Sequence, residues 1–213
     1  MSISIAYNTK SIVSGSSILG PNIVRDGLIL HVDAANSKSY PGSGTTWYDL
    51  SRNGNNVSIT NLIFNQNDNL GSITGQFSTD TLNGINNGDE HTITLIGKSL
   101  VFLDAGGNEI LFYSNGYQYF SAYPFSSPSP FQFSYSQNDT IKITYTVSDT
   151  KTIFYVNGSK IGEVTHDNIS GFEPQYITGQ ATTTLNVIKI YNRVLSEDEV
   201  QQNFNALKGR FGL

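Results

Sequence analysis

The stretch LNVIKIYNRVLSEDEVQQNFNALKGRFGL, residues Leu185–Leu213, decides the fold. Its first part is an apolar run that predicts a β-strand, and a helix start signal follows within a few residues. Ser196 can cap that helix, and Glu199 stands three positions later, which completes a capping box. We therefore predict a final strand that leads into one short helix.

The predicted helix has a complete set of packing signals. Leu195 and Val200 stand at the two positions of a hydrophobic staple. Val200, Phe204 and Leu207 recur at helical spacing and form one apolar stripe. Gly209 is the predicted end of the helix. All of these features concern the packing of a helix on a sheet, and none of them is catalytic.

Upstream of residue 185, short apolar or alternating runs are separated by turn-rich segments, a pattern typical of strands. The predicted strands lie within DGLILHVDAAN (26–36), NVSITNLIF (56–64), GSITGQFS (71–78), HTITLIG (91–97), SLVFLDA (99–105), EILFYS (109–114), DTIKITYTVSD (139–149), TIFYVNGSKIGEV (152–164) and TLNVIKIYN (184–192). Asn157-Gly158 predicts a tight hairpin. The single tryptophan, Trp47, is expected to anchor a glycine-rich loop to the core.

Two of these runs assign faces to strands. Leu28, Leu30 and Val32 alternate with Ile29, His31 and Asp33 and predict one apolar face. The cleanest alternation in the chain places four apolar residues on one face: Ile141, Ile143, Tyr145 and Val147.

Many short strands with one helix favour an all-β fold, specifically a two-sheet antiparallel jelly-roll sandwich with a short C-terminal helix and an extended N-terminal arm. We predict one domain at residues 23–213. Residues 1–22 are interpreted as the arm, which either frays against its own domain or docks on a neighbouring subunit. If it docks, the assembly interface consists of the aliphatic and aromatic residues Ile3, Ile5, Tyr7, Ile12, Val13, Ile18 and Leu19.

Composition excludes several classes of function. The net charge is −5 and the basic residues are scattered, so no nucleic-acid partner is expected. The sequence has no apolar run long enough to span a bilayer, so no membrane insertion is predicted. The first residues lack the basic and apolar regions of a signal peptide, and the chain contains no cysteine.

Both ends of the chain resemble the laminin-G-like, concanavalin-A-like jelly-roll domains of tailed-phage virion proteins. The opening match is RDGLILHVDAANSKSYPGSGTTWYDLSRNGNN, and the closing match is IKIYNRVLSEDEVQQNFNALKGRFGL. The late hairpin YVNGSKIG matches as well. The shared positions include Asp33, Trp47, Asp49, Asn192 and Glu199.

The resemblance implies a non-enzymatic virion structural protein, made in the host cytoplasm and displayed on the particle as a capsid decoration or a fibre, neck or tail component. Its partners would be other virion proteins and further copies of itself in a homo-oligomer, with the N-terminal arm as the anchor. The alternative is a carbohydrate-binding module that recognises host-surface glycans. A glycoside hydrolase of the same fold is a third interpretation.

The sequence contains little that supports catalysis. A retaining glycosidase needs two carboxylates on one cleft, whereas Glu197, Asp198 and Glu199 are consecutive at a helix start. The three histidines do not have zinc-site spacing, so no cofactor is predicted. Calcium is the remaining metal, with Asn67, Asp68 and Asn69 as loop oxygens, but one carboxylate is a small ligand set and favours a solvated turn.

The most aromatic segment, residues 113–135, is the predicted place for glycan or interface contacts. Tyrosine rings can stack on sugar faces or anchor an interface, or they can fill a core. Periodicity favours the core for Phe131, Phe133 and Tyr135. The candidate glycan or interface residues are Tyr117, Tyr119 and Tyr123.

Overall fold

The computed structural model describes residues 22–65, 70–98, 100, 102–104, 109–114, 117–120, 132–134, 139–166, 169, 177–179 and 183–213. The strands are β1 (Leu28–Asp33), β2 (Thr46–Trp47), β3 (Val57–Asn65), β4 (Ser72–Thr79), β5 (His91–Lys98), β6 (Phe102–Asp104), β7 (Glu109–Ser114), β8 (Tyr117–Phe120), β9 (Gln132–Ser134), β10 (Ile141–Val147), β11 (Lys151–Val156), β12 (Ser159–Thr165), β13 (Ile177–Gly179) and β14 (Thr184–Tyr191). The helices are α1 (Glu197–Asn205) and α2 (Lys208–Phe211). For β6 to β9 and for β13, the backbone alone is described.

The strands form one antiparallel ladder that encloses a sandwich core. The order is β12-β11-β10-β5-β14-β4-β13-β6-β7-β8-β9, with β1 added to β14, β3 to β4 and β2 to β3. One buried cluster combines residues from β1, β5, β10 and β14 with residues from β2, β3 and β4, so the ladder folds over where β14 meets β4. The mostly β jelly-roll fold predicted from the sequence is confirmed.

The inner face of the sandwich contains the β10 residues that the alternating sequence pattern assigned to one apolar face. All four predicted residues of β10 are buried in this core: Ile141, Ile143, Tyr145 and Val147. Trp47 is fully buried there too, which confirms its role as an anchor. The hairpin between β11 and β12 turns at Asn157 and Gly158, whose φ angles of 48° and 82° are those of a primed turn.

The register of β1 differs from the prediction at one residue. A bulge lies between Leu28 and Leu30 where β1 pairs with β14. As a result Ile29 joins Leu30 and Val32 in the core, while Leu28 packs against the cluster that contains Val200 of α1. The prediction that Leu28 shares the core face is wrong, because a bulge reverses the alternation at the point where it occurs.

The outer edge of β1 is covered by the loop that follows β2. The carboxylate of Asp49 accepts hydrogen bonds from the His31 amide at 2.9 Å and from the Ser51 amide at 2.8 Å. The hydroxyl of Ser51 and the side-chain amide of Asn55 both donate to the Ile29 carbonyl at 2.8 Å. This opening motif therefore pairs the backbone groups that an edge strand would otherwise expose.

The C-terminal helices cover the outer face of the sheet centred on β5. The capping box is present: Glu199 accepts from the Ser196 amide at 2.9 Å, and the Ser196 hydroxyl accepts from the Glu199 amide at 3.3 Å. Leu195 and Val200 are buried in one cluster, as the staple predicts. Arg193 forms two hydrogen bonds with Glu199, which lower the pKa of that carboxyl to about 2.

The end of the helical region differs from the prediction. Gly209 does not terminate α1, which ends at Asn205 and is followed by the short helix α2. The left-handed residue is Gly212, with a φ of 68° at the C-cap of α2. Phe211 of α2 packs against Ile96 and Val187, so the second turn of helix forms because it buries this ring.

Beneath the helices the outer face is polar and also buried. Lys142 and Lys189 are 1% and 0% exposed. The Lys142 ammonium donates to the Val200 carbonyl at 3.2 Å, whereas the Lys189 ammonium has no hydrogen-bond partner among the described residues. Burial lowers the pKa of Lys142 to about 6 and that of Lys189 to about 7.

We expect Lys189→Met to raise the free energy of unfolding by about 1–4 kcal/mol at pH 7, because a buried charge is replaced by a buried thioether of similar length. In the folded protein, burial lowers the pKa of Lys189 from its ordinary 10.5 to about 7. Protonation therefore favours the unfolded chain, and the stability of the parent protein rises between pH 7 and 10.

Urea unfolding at pH 7 and pH 9.5 measures both effects. The variant should gain less stability with rising pH than the parent protein does. Lys38→Met, at an exposed lysine, is the control and should leave the slope unchanged. Equal pH slopes for the parent and Lys189→Met would contradict the prediction.

Candidate functional site

Four neighbouring strands place one residue each in a single row across the ladder. Ile63 of β3 is opposite Thr74 of β4, Thr74 is opposite Thr184 of β14, and Thr184 is opposite Lys98 of β5. Lys98 shares its face of β5 with Ile96, two residues away, so the row lies on the outer face that bears the helices. Residues far apart in sequence thus meet where the two layers join.

A cavity of about 400 Å³ lies over this row. We call it the cross-strand pocket, and it is lined by Ile63, Phe64, Asn65, Ser72, Thr74, Lys98, Thr184 and Asn186. Its volume lies in the range of small-molecule sites. Most of the lining side chains carry a hydroxyl, an amide or an ammonium group, which makes the pocket strongly polar.

Asn186 is the most constrained residue of the pocket. It lies at a bulge of β14, between Leu185 and Val187, and is 2% exposed. Its side-chain amide donates to the Gly71 carbonyl at 2.7 Å, and its backbone carbonyl accepts from the Ala34 amide at 2.8 Å. The side-chain oxygen is buried and has no hydrogen-bond partner among the described residues.

The other polar groups around the pocket can complement a hydroxylated ligand. The hydroxyls of Thr74 and Thr184 are 2.7 Å apart and form a hydrogen bond in which either can donate. The pair therefore offers both a donor and acceptor positions to a ligand. Lys98, which is half-buried, adds an ammonium donor.

The pocket also has an apolar side. Ile63 is 67% exposed, which is high for a large aliphatic residue on a strand. Phe64 packs edge-on against Tyr40 with the ring centroids 4.8 Å apart. Such surfaces suit the C–H faces of a sugar ring, while the polar groups hold its hydroxyls.

The described residues that line the cross-strand pocket include no carboxylate, and hydrolysis of a glycosidic bond needs two. Of the three acids predicted at the helix start, Glu199 is paired with Arg193. Glu197 and Asp198 are exposed. No group of three or more potential metal ligands occurs among the residues that the structure describes.

None of the sequence-predicted site residues is among the described lining of the cross-strand pocket. Tyr117 and Tyr119 lie on β8, where Tyr117 is opposite Ser114 of β7 and Tyr119 is opposite Gln132 of β9. Tyr123 and the calcium candidates Asn67, Asp68 and Asn69 lie outside the described residues, as do the interface residues proposed in the arm: Ile3, Ile5, Tyr7, Ile12, Val13, Ile18 and Leu19. Sequence reasoning missed Thr74, Lys98, Thr184 and Asn186. One usable signal was Asn186, a polar residue that interrupts an apolar strand run.

No protein-family model matches the chain, and no curated protein matches it. Similar solved structures do exist. The binding domain of botulinum neurotoxin DC, solved in complex with rat synaptotagmin II, is 16% identical with a TM-score of 0.66, over 86% of this chain and 52% of that chain. A structure of botulinum neurotoxin type C, which interacts with two ganglioside molecules to enter cells, has the same four values. A sialidase of Trypanosoma rangeli is 16% identical with a TM-score of 0.60, over 85% of this chain and 33% of that chain.

These similarities establish the jelly-roll fold. The chain spans about half the length of the neurotoxin structures that it matches. In the part of the chain that the structure describes, no helix is long and apolar enough to cross a bilayer.

We expect Gly71→Ala to destabilise the protein by about 2 kcal/mol or more, because overpacking at a close backbone approach is costly. Gly71 has a φ of 57°, and a Cβ there would lie 2.6 Å from the Ala35 nitrogen and 2.7 Å from the Ala34 carbonyl carbon. Gly209→Ala is the matched control, since a Cβ there meets no atom within 4 Å, and it should be neutral or slightly stabilising. Thermal unfolding compares the two, and equal Tm values would contradict the prediction.

Proposed function

We propose that the chain is a glycan-binding adhesion module and that its cross-strand pocket holds a neutral, hydroxyl-rich sugar. The observation that carries the proposal is the polar row of the pocket, in which the hydroxyls of Thr74 and Thr184 lie 2.7 Å apart and Lys98 stands opposite Thr184. A sugar hydroxyl can donate to a threonine hydroxyl and accept from Lys98. A ligand without hydroxyls would leave these polar groups unpaired, so the site would discriminate against it.

The similar structures support this proposal at the level of fold. A neurotoxin that interacts with gangliosides has the same jelly-roll architecture in the region that matches this chain. The sialidase shows that the architecture also occurs in an enzyme. The absence of a carboxylate from the described lining of the cross-strand pocket favours a binding module over a hydrolase.

We expect the purified chain to bind neutral glycans on an array, and Thr184→Val to weaken that binding at least tenfold. Valine keeps the shape of threonine but removes the hydroxyl that pairs with Thr74 at 2.7 Å. Titration calorimetry with the best array ligand measures the change in affinity. Thr165→Val, at an exposed position of β12, is the matched control and should bind as the parent does.

Two results would overturn the proposal. The first is no binding to any neutral glycan on a densely coated array. The second is equal affinity of Thr184→Val and Thr165→Val for the ligand, which would place the sugar elsewhere. The Tm of each variant, measured on the same samples, separates loss of binding from loss of folding.

A second proposal concerns the setting in which the module works. The resemblance of both chain ends to tailed-phage virion proteins supports a structural role on a phage particle, with residues 1–22 as the anchor and further copies of the chain as partners. The Asn22 carbonyl accepts from the Gln202 side chain at 2.7 Å, so the arm joins the domain beside α1. Display on a particle and glycan adhesion are compatible, because display would use the arm and adhesion would use the cross-strand pocket.

We expect deletion of residues 1–21 to convert an oligomer into a monomer with an unchanged Tm. The cut leaves Asn22 and its hydrogen bond to Gln202 in place. Sedimentation velocity of the full chain and the truncated chain measures the assembly state. A monomeric full-length chain would contradict the proposed self-assembly, and an oligomeric truncated chain would contradict the role of the arm.

A further inference from the structure

A second cavity, of about 430 Å³, lies beside β1 and is separate in its lining from the cross-strand pocket. We call it the arginine pocket, and it is lined by Ile23, Arg25, Leu28, His31, Asn36, Leu50, Ser51 and Arg52. The segment before β1 and the loop after β2 supply its walls. The two cavities share no lining residue.

Two guanidinium groups line the arginine pocket without a partner. Arg25 and Arg52 are both exposed, and neither side chain has a hydrogen bond or an ion pair among the described residues. Arg25 also lies close enough to His31 for its charge to contribute to lowering the pKa of that imidazole. The chain as a whole has a net charge of −5, so two unpaired cations in one concave site are opposite in sign to its overall charge.

The neighbouring carboxylates are already engaged. Asp49 accepts hydrogen bonds from three backbone amides, those of His31, Ser51 and Asn55. Asp26 pairs with Arg193 at 2.9 Å. Asp33 accepts two hydrogen bonds from the Arg210 guanidinium, at 2.6 and 2.8 Å. Among the described residues, none of these carboxylates forms an ion pair with Arg25 or Arg52.

Arg52 is also held in a strained conformation. Its φ is 81°, in the left-handed region that disfavours residues with a Cβ other than asparagine and aspartate. Asn53 and Gly54, which follow it, are of the types that commonly occur in this region. Strained backbone that is retained at a residue with no structural contact for its side chain is typical of functional sites.

The remaining lining suits an organic anion rather than a bare ion. Ile23, Leu28 and Leu50 supply apolar surface, and Asn36 supplies an exposed amide. Burial lowers the pKa of His31 to about 4, so at neutral pH its ring is uncharged and serves as a hydrogen-bonding group. Arginine forks match planar carboxylates with two parallel hydrogen bonds.

We propose that the arginine pocket binds the carboxylate of an acidic sugar, with Arg25 and Arg52 as its guanidinium ligands. The sugar ring lies against Leu28 and Leu50, and its hydroxyls contact Asn36 and His31. This extends the proposed function to a second class of glycan, but it rests on a different cavity and a different set of residues.

The experiment measures binding of glucuronic acid, N-acetylneuraminic acid, glucose and inorganic phosphate by saturation-transfer NMR and calorimetry. The acidic sugars should bind, and glucose should not compete for the arginine pocket. Arg25→Gln and Arg52→Asn should each weaken the acidic sugars at least tenfold. Thr184→Val, in the cross-strand pocket, should leave their affinity unchanged, so failure of one proposal is distinguishable from failure of the other.

Arg52→Asn distinguishes a role of Arg52 in binding from a role in stability. Asparagine tolerates the left-handed conformation, so the variant should unfold about 2–4 °C higher than the parent while losing acidic-sugar binding. Gain of stability together with loss of binding would support the proposal. Unchanged binding in both arginine variants, or phosphate binding as tightly as the acidic sugars, would overturn it.

Discussion

The structure depends on the position of β14, which is hydrogen-bonded to β1, β5 and β4 and so belongs to both layers of the sandwich. A single strand can join two layers because its bulge at Asn186 changes its direction. The same bulge takes Asn186 out of the ladder, so its amide can hold Gly71 and its backbone carbonyl can hold Ala34. The position of Asn186 in the lining of the cross-strand pocket is thus a consequence of how the sandwich closes.

Local signals were sufficient for much of the fold. The capping box of Ser196 and Glu199, the Asn157-Gly158 hairpin and the alternation in β10 all appear in the structure as the sequence predicts. In each case the chemistry acts within a few residues. Two predictions were wrong, and in both a long-range contact sets the local structure. One is at the bulge that turns Leu28 outward. The other is at Gly209, where burial of Phe211 extends the helical region.

The two pockets were beyond the reach of sequence reasoning for the same physical reason. Ile63, Thr74, Lys98 and Thr184 are each unremarkable in their own strands, and only the pairing register brings them into one row. The signature loop around Asp49 was recognisable, but its residues mainly pair the edge of β1. What the sequence could not reveal was that Arg52, within this loop, takes a left-handed conformation beside a cavity.

Buried polar groups on the outer face have a different explanation from the polar groups of the pockets. Apolar contacts alone would let α1 slide on the sheet with little loss. Three contacts fix one position: Lys142 donates to the Val200 carbonyl, and the Asn203 side chain bonds both to the Val24 amide and to the Tyr191 hydroxyl. Each would be left unpaired if the helix moved by one turn, and a buried unpaired group costs about 1–3 kcal/mol. The lowered pKa of Lys142 is therefore the cost of specifying where the helix docks.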